Sequence, residues 1–173
     1  MLEIRQAITD ADFRTAWELR SEMGRWDSDQ ARQLGLDLTK ILSHFYSIDV
    51  PGIRHANTPP RGGLLLATVS GAEAGCASFR RIDINACELH HVFVREQFRG
   101  KHIGRQLVEQ ILEIASTAGY QSMLLETTTY MREAQNLYAS IGFRTRGSYY
   151  DLPSSFENAT MFMELLLASR IHP

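Results

Sequence analysis

Between Val92 and Leu107 the chain passes from an apolar strand end, Val92-Phe93-Val94, through a short basic and glycine-containing loop into a strongly periodic helix. In that helix Ile103, Leu107, Ile111, Ile114, Ala115 and Ala118 recur every three or four residues and form one buried stripe. Gly119 is suited to end it. A strand feeding such a helix through a tight turn commits the chain to a layered core, because the apolar stripe must pack on a sheet. The turn also aims several backbone N–H groups at one point, where the helix N-terminus adds about half a positive charge. Gly100 and Gly104 allow close backbone approach, and Arg99, Lys101 and Arg105 add cationic side chains. A small ligand's phosphate or pyrophosphate fits this loop. A plain strand-to-helix turn with solvated basic residues fits it too. Neither the Gly-x-Gly-x-x-Gly pattern nor a Gly-Lys-Ser/Thr ending is present, which disfavours dinucleotides and nucleoside triphosphates.

The flanking sequence gives the rest of the order. Thr9-Asp-Ala-Asp12 pairs a hydroxyl N-cap with an acid three residues on, and predicts a helix over 10–24. A weaker helical pattern uses Ala31, Leu34, Leu38, Ile41 and Leu42. Ser47 to Gly62 reads as loop, with Pro51-Gly52, Pro59-Pro60 and Gly62-Gly63 as breakers. Strands are expected over Leu64–Ser70, Ala74–Ile82 and Glu88–Val94, then Ser122–Glu126, Phe143–Tyr149 and Thr160–Leu167. A further helix over Met131–Ser140 stops at Gly142. Antiparallel strand runs combined with β-helix-β crossovers predict an α/β (α+β) fold with a mixed, mostly antiparallel sheet between helices.

Composition narrows the class of function. The 173 residues, 44% apolar and 22% charged, suit one domain over 1–173 that folds without disulfides or metal. Eighteen Lys+Arg against twenty Asp+Glu give a net charge of −2, which argues against nucleic acid or an anionic membrane as partner. The N-terminal residues lack a signal-peptide pattern, and no apolar run approaches the ~20 residues that span a bilayer. A cytoplasmic protein is expected. Cys76 and Cys87 both fall in expected strands and read as small apolar packing residues. His90-His91 beside Cys87 lacks the spacing of a metal motif, so no metal is expected.

Four segments in order carry a resemblance to the GNAT superfamily of acetyl-CoA-dependent N-acetyltransferases. Arg99-Gly-Lys-His-Ile-Gly104 resembles its Gln/Arg-x-x-Gly-x-Gly/Ala motif, with His102 where the first motif glycine stands. Glu88-Leu-His-His-Val-Phe-Val94 looks like its central strand, and Ala134-Gln-Asn-Leu-Tyr138-Ala-Ser-Ile-Gly142-Phe143 like its Ala-x-x-Leu/Phe-Tyr-x-x-x-Gly-Phe segment. Tyr149-Tyr-Asp-Leu-Pro153 followed by Met163-Glu-Leu is similar to the ending of many members. Met131 stands where the family often has an asparagine cofactor contact. The resemblance implies a sheet splayed in the middle with acetyl-CoA in the split, and acetyl transfer to a primary amine.

By that resemblance, backbone groups at Val92, Phe93 and Val94 hold the pantetheine arm or polarise the thioester, and Arg99, Gly100, Lys101, His102, Ile103, Gly104 and Arg105 take the pyrophosphate. Tyr138 matches the tyrosine that protonates the departing sulfur; its helical spacing alone also fits a residue packed at the core edge. Glu88 is the candidate base. His90 shares its face in a regular strand, with His91 opposite unless a bulge resets the alternation. A solvated or ion-paired Glu88 and hydrogen-bonded structural histidines are the alternatives. Trp17, Trp26, Phe45 and Tyr46 are candidates either for the amine pocket or for core. A small-molecule amine is the expected acceptor. A protein or peptide amine and a non-catalytic acyl-CoA-binding module are the competing readings, and a homodimer is compatible with the resemblance.

Overall fold

The computed structural model describes residues 1–33, 35, 46, 48–152 and 157–167. Chain order is β1 (Leu2–Gln6), α1 (Asp10–Gln33), α2 (Val50–Asn57), β2 (Gly62–Val69), β3 (Ala72–Arg81), β4 (Ala86–Val94), α3 (Ile103–Thr117), β5 (Ser122–Thr128), α4 (Arg132–Ile141), β6 (Arg144–Arg146) and β7 (Thr160–Leu166). Among the described residues, the seven strands join one sheet in the order β1-β2-β3-β4-β5-β7-β6. The mixed, mostly antiparallel sheet expected from the sequence is present. β4 and β5 are its parallel neighbours, joined by the crossover helix α3 that such a pair requires.

Side-chain alternation distributes the core over two faces. On one, Leu107, Ile111 and Ala115 of α3 pack against Leu65, Ala67, Phe79, Cys87, Leu89 and Met123. On the other, Phe13, Ala16 and Leu19 of α1 and Ile53 of α2 cover Leu64, Leu66, Cys76 and Phe93. Leu64, Leu65, Leu66 and Ala67 are therefore all buried, which is why β2 reads as a continuous apolar run.

The start of α1 follows its sequence signal. Thr9 Oγ1 accepts from Asp12 N at 3.2 Å, and Asp12 Oδ2 accepts from Thr9 N at 2.8 Å and Ile8 N at 2.9 Å. The helix continues to Gln33, past the expected end at 24, and takes in Ala31. Leu34, Leu38, Ile41 and Leu42 of the second pattern lie outside the described residues.

Two expectations need correction. Part of the expected loop between Ser47 and Gly62 is helix α2. Pro51 sits in its first turn, where a missing N–H costs nothing, and Asp49 Oδ1 caps Gly52 N at 2.9 Å. The expected strand over Phe143–Tyr149 is strand only at Arg144–Arg146, because only these residues find partners on β7.

β4 departs from regular pairing on both of its edges. Its pairing with β5 runs from Ala86↔Ser122 to Leu89↔Leu125 and stops, although both strands continue and the sheet opens there. Against β3, Cys76 pairs with Phe93 and Ser78 with His90, so β4 carries an extra residue; His91 has a φ of 51°. Across from this bulge, Gly75 leaves room for the backbone. A Cβ there would collide with the Phe93 carbonyl oxygen and lie 3.2 Å from Val94 Cα. We expect Gly75→Ala to destabilise the fold by about 1–3 kcal/mol, read as a lower urea midpoint at unchanged m-value.

Candidate active site

The opening between β4 and β5 is a cleft of about 670 Å³. Its walls include Val92, Phe93 and Val94 at the end of β4, Arg99, Gly100 and His102 of the loop, and Ile103, Gly104 and Arg105 in the first turn of α3. Ala134, Leu137 and Tyr138 of α4 face them, and Met23, Trp26 and Gln30 of α1 close one side. Of the residues singled out for the cofactor, Lys101 alone is not in this wall; its Nζ lies 5.7 Å from the Phe98 ring centroid.

The loop's shape follows from local backbone constraints. Residues 96–98 form a short 3₁₀ turn, Gly100 has a φ of 76°, and His102 caps α3 with φ 59° and ψ 15°. That left-handed conformation explains why glycine is the family residue at this position, and histidine tolerates it better than bulky or β-branched residues do. Arg99 Nε donates to Val94 O at 3.0 Å, and its guanidinium lies 5.4 Å from the Trp26 ring centroid, so strand end, loop and α1 are tied together. Arg105 donates to Ser140 Oγ at 2.6 Å and to Glu109 at 3.1 Å, linking α3 to α4.

Tyr138 is buried in the cleft wall, edge-on to Phe143 at 5.8 Å. Burial pushes its phenol above the ordinary tyrosine range, so it stays protonated at neutral pH. Met131, in the place of the family asparagine, also lines the cleft.

Glu88 and His90 share the face of the sheet covered by α1, and their side chains meet: His90 Nε2 is 2.6 Å from Glu88 Oε2. The bulge stacks His91 on His90, with ring centroids 5.3 Å apart, instead of leaving it opposite. Cys87 points into the other core, so it does not join the histidines. Glu88 is 2% exposed and is not in the cleft wall. Oε2 also accepts from Arg80 Nε at 3.0 Å and Nη2 at 2.9 Å, and Oε1 accepts from the Tyr149 hydroxyl. Burial by itself would raise its pKa; the bonds from His90 and Tyr149 and the charge of Arg80 outweigh it and bring the carboxyl to about 2. Burial shifts His90 downward, against the pull of Glu88.

Sequence reasoning missed four groups around this pair. Arg80 on β3, Tyr149, Tyr150 and Glu126 on β5 surround it, and the Tyr150 hydroxyl donates to Glu126 Oε2. Burial first, then the charge of Glu88, push Glu126 up to about 7 despite Tyr150. No sequence signal points to Glu126; it is found through the β4–β5 register, which puts Glu88 beside Leu124. Tyr130 and Tyr46 both donate to Asp27 of α1, Tyr46 at 3.3 Å, so α1 is bound to the chain leaving β5.

The sequence profile of the acetyltransferase (GNAT) family matches residues 22–143. The chain belongs to the GNAT family. It is 32% identical over 126 residues to an uncharacterized N-acetyltransferase of Schizosaccharomyces pombe, covering 70% of this chain and 74% of that one. It is also 32% identical over 140 residues to an IAA acetyltransferase of Azospirillum brasilense, covering 79% and 90%. For other curated relatives the chain spans under half their length, 37% for an uncharacterized N-acetyltransferase of Dictyostelium discoideum. Among solved structures, a GNAT acetyltransferase of Staphylococcus aureus superposes with a TM-score of 0.74 at 21% identity, covering 96% of this chain and 99% of that one. The PaiA N-acetyltransferase of Thermoplasma acidophilum, solved in complex with coenzyme A, gives 0.71 at 19% identity, with 96% and 99% covered. As a GNAT member this protein is an acetyl-CoA-dependent N-acetyltransferase.

The depressed Glu88 carboxyl has a direct consequence for stability. Its contribution is fully present above the ordinary value of 4.5 and is lost as pH falls through about 2. Glu88→Gln should therefore cost on the order of 3 kcal/mol near neutrality. The gap to wild type should narrow toward pH 2, as urea unfolding at neutral and acid pH would record.

Proposed function

We propose that this GNAT enzyme acetylates a primary amine of a small molecule, by direct attack on acetyl-CoA in a ternary complex. The observation that carries the reading is the cleft at the β4–β5 split, with the α3 N-terminus at one end and Tyr138 in its wall. Its size and partly apolar walls suit a pantetheine arm. Gly100, His102, Ile103, Gly104 and the start of α3 supply N–H groups and dipole for the pyrophosphate, with Arg99 and Arg105 at the rim and Lys101 nearby. Val92, Phe93 and Val94 lie where β4 has lost its β5 partner and carries the bulge, so their main chain is the candidate donor to the arm and to the developing oxyanion.

The amine comes from the α1 side, the face that carries Glu88 and His90. There α1 is bound through Asp27 to Tyr130 and Tyr46, and Trp26 enters the cleft wall. Such a cover supports an enclosed acceptor pocket, suited to a small amine more than to a folded protein surface. Glu88, ionised and fully engaged, and the His90 bonded to it set the electrostatics and shape of that face. When the C–S bond breaks, Tyr138, which burial keeps protonated at neutral pH, donates its proton to the departing sulfur and regains one from solvent.

Calorimetric binding of acetyl-CoA, followed by thiol release with free alkylamines, aralkylamines, amino acids and amino sugars against peptide pools, tests the reading. Turnover confined to peptides would move the acceptor to proteins, and binding without any release would leave a non-catalytic acyl-CoA module. Tyr138→Phe should lower kcat by about 10²-fold with acetyl-CoA affinity unchanged in calorimetry. An unaltered kcat would remove Tyr138 from the chemistry.

A further inference from the structure

Coenzyme A carries its sulfur at the end of a pantetheine arm. The amide groups of that arm lose water on entering a cleft, and each one left without a partner there costs affinity. The end of β4 offers main-chain groups on one side of the cleft. The other side is α1, which lies across the split and is tied to the chain beyond each strand. Beyond β4, Arg95 donates through Nε to Glu22 Oε2 at 2.9 Å and through Nη2 to Glu22 Oε1 at 2.6 Å. The third arm of that guanidinium, Nη1, donates to Glu73 O at 2.7 Å and so fixes the clamp to β3. Beyond β5, the Tyr130 hydroxyl donates to Asp27 Oδ1. Glu22 and Asp27 lie little more than one helical turn apart, so this part of α1 is held from both sides of the opening.

Between and just beyond the two clamps, Met23, Trp26 and Gln30 follow at intervals of three and four residues. They share one face of α1, and all three line the cleft. Trp26 holds the Arg99 guanidinium over its ring. Gln30 has no such task. It is half-buried, and its carboxamide makes no hydrogen bond to another described residue. Its neighbours in the wall are otherwise committed or apolar. Tyr130 is bonded to Asp27 and Arg99 to Val94 O, while Met131, Ala134 and Leu137 of the α4 side bring no amide or hydroxyl. His102, Arg132 and Glu133 are exposed at the rim.

We propose that Gln30 binds the cofactor, its carboxamide hydrogen-bonding an amide of the pantetheine arm on the side away from β4. The bonds of Glu22 to Arg95 and of Asp27 to Tyr130 hold α1 where Gln30 reaches the arm, which makes Asp27 and Tyr130 positioning residues. This rests on the reading of the cleft as the acetyl-CoA site and adds a group to that same site. A carboxamide both donates and accepts, so it can meet either the N–H or the C=O of an arm amide. The arm does not react, and the bond is equally strong before and during acetyl transfer. It therefore acts on the KM for acetyl-CoA and leaves kcat alone.

The test is calorimetry of wild type, Gln30→Met, Tyr130→Phe and the double variant with two probes. One is acetyl-CoA; the other is 3′-phosphoadenosine 5′-diphosphate, which keeps the diphosphate and lacks the arm. Gln30→Met keeps the length of the side chain, removes its polar atoms and suits a helix. It should bind acetyl-CoA about 5- to 10-fold more weakly, bind the armless probe as wild type does, and raise the KM for acetyl-CoA at unchanged kcat. Gln30→Ala gives the same readings if Gln30→Met does not fold, as urea unfolding would show. Tyr130→Phe should also weaken acetyl-CoA, and the double variant should lose less than the product of the two single losses, because both act through one contact. Acetyl-CoA affinity unchanged in Gln30→Met, or an equal loss for both probes, overturns the assignment while the cleft remains the cofactor site. Losses that multiply in the double variant overturn the positioning role of Tyr130. Wild type that binds neither probe overturns the reading of the cleft, and the role of Gln30 with it.

Discussion

The structure depends on a pairing that stops. β4 and β5 hold each other from Ala86 and Ser122 to Leu89 and Leu125 and then part, while both strands run on. Parallel neighbours need a crossover, and the crossover here is α3. The same connection therefore closes one end of the sheet and delivers a helix N-terminus to its open end. The Ile103, Leu107 and Ile111 stripe pins that helix to the core, so the loop from Arg99 to His102 has little freedom in where it points. An opening lined by strand ends and a helix N-terminus is a consequence of this packing.

The two carboxyls beside the opening show how environment separates residues of one type. Both Glu88 and Glu126 lose hydration, which favours the neutral acid. Glu88 receives donors from Arg80, His90 and Tyr149, and these overcome the loss. Glu126 has the Tyr150 hydroxyl and a negative neighbour in Glu88, and these do not. One group is a fixed charge and the other sits near the pH at which an enzyme works. The first helps to set the second, since part of the upward shift of Glu126 comes from the charge on Glu88.

Much of this was legible in the residue order because it arises locally. The α3 stripe, the Thr9–Asp12 cap and the Gly142 stop, with its φ of 118°, depend on neighbours within a turn or two. So does the conflict at His102, where a non-glycine residue holds a left-handed conformation. Helix α2 was hidden because Pro51-Gly52 reads as a breaker, whereas a proline in a first turn under an Asp49 cap starts a helix. The Phe143–Tyr149 segment sets polar residues between two aromatic ends, but a strand needs a partner, and only Arg144–Arg146 have one.

The sequence by itself determined the order of helices α1, α3 and α4 and of strands β2 to β7, the sheet between helices and the basic turn before α3, since periodicity and turn chemistry act over short distances. It also placed the chain beside the GNAT family through motifs that are contiguous in the chain. Only the tertiary structure decided which side chains meet at the split. The extra residue in β4 brings His91 onto His90, the β3 register sets Arg80 beside Glu88, and the end of parallel pairing puts Glu126 across from His90. Those relations join residues far apart in the chain, and register, burial and the electric field of neighbours exist only once the strands are side by side.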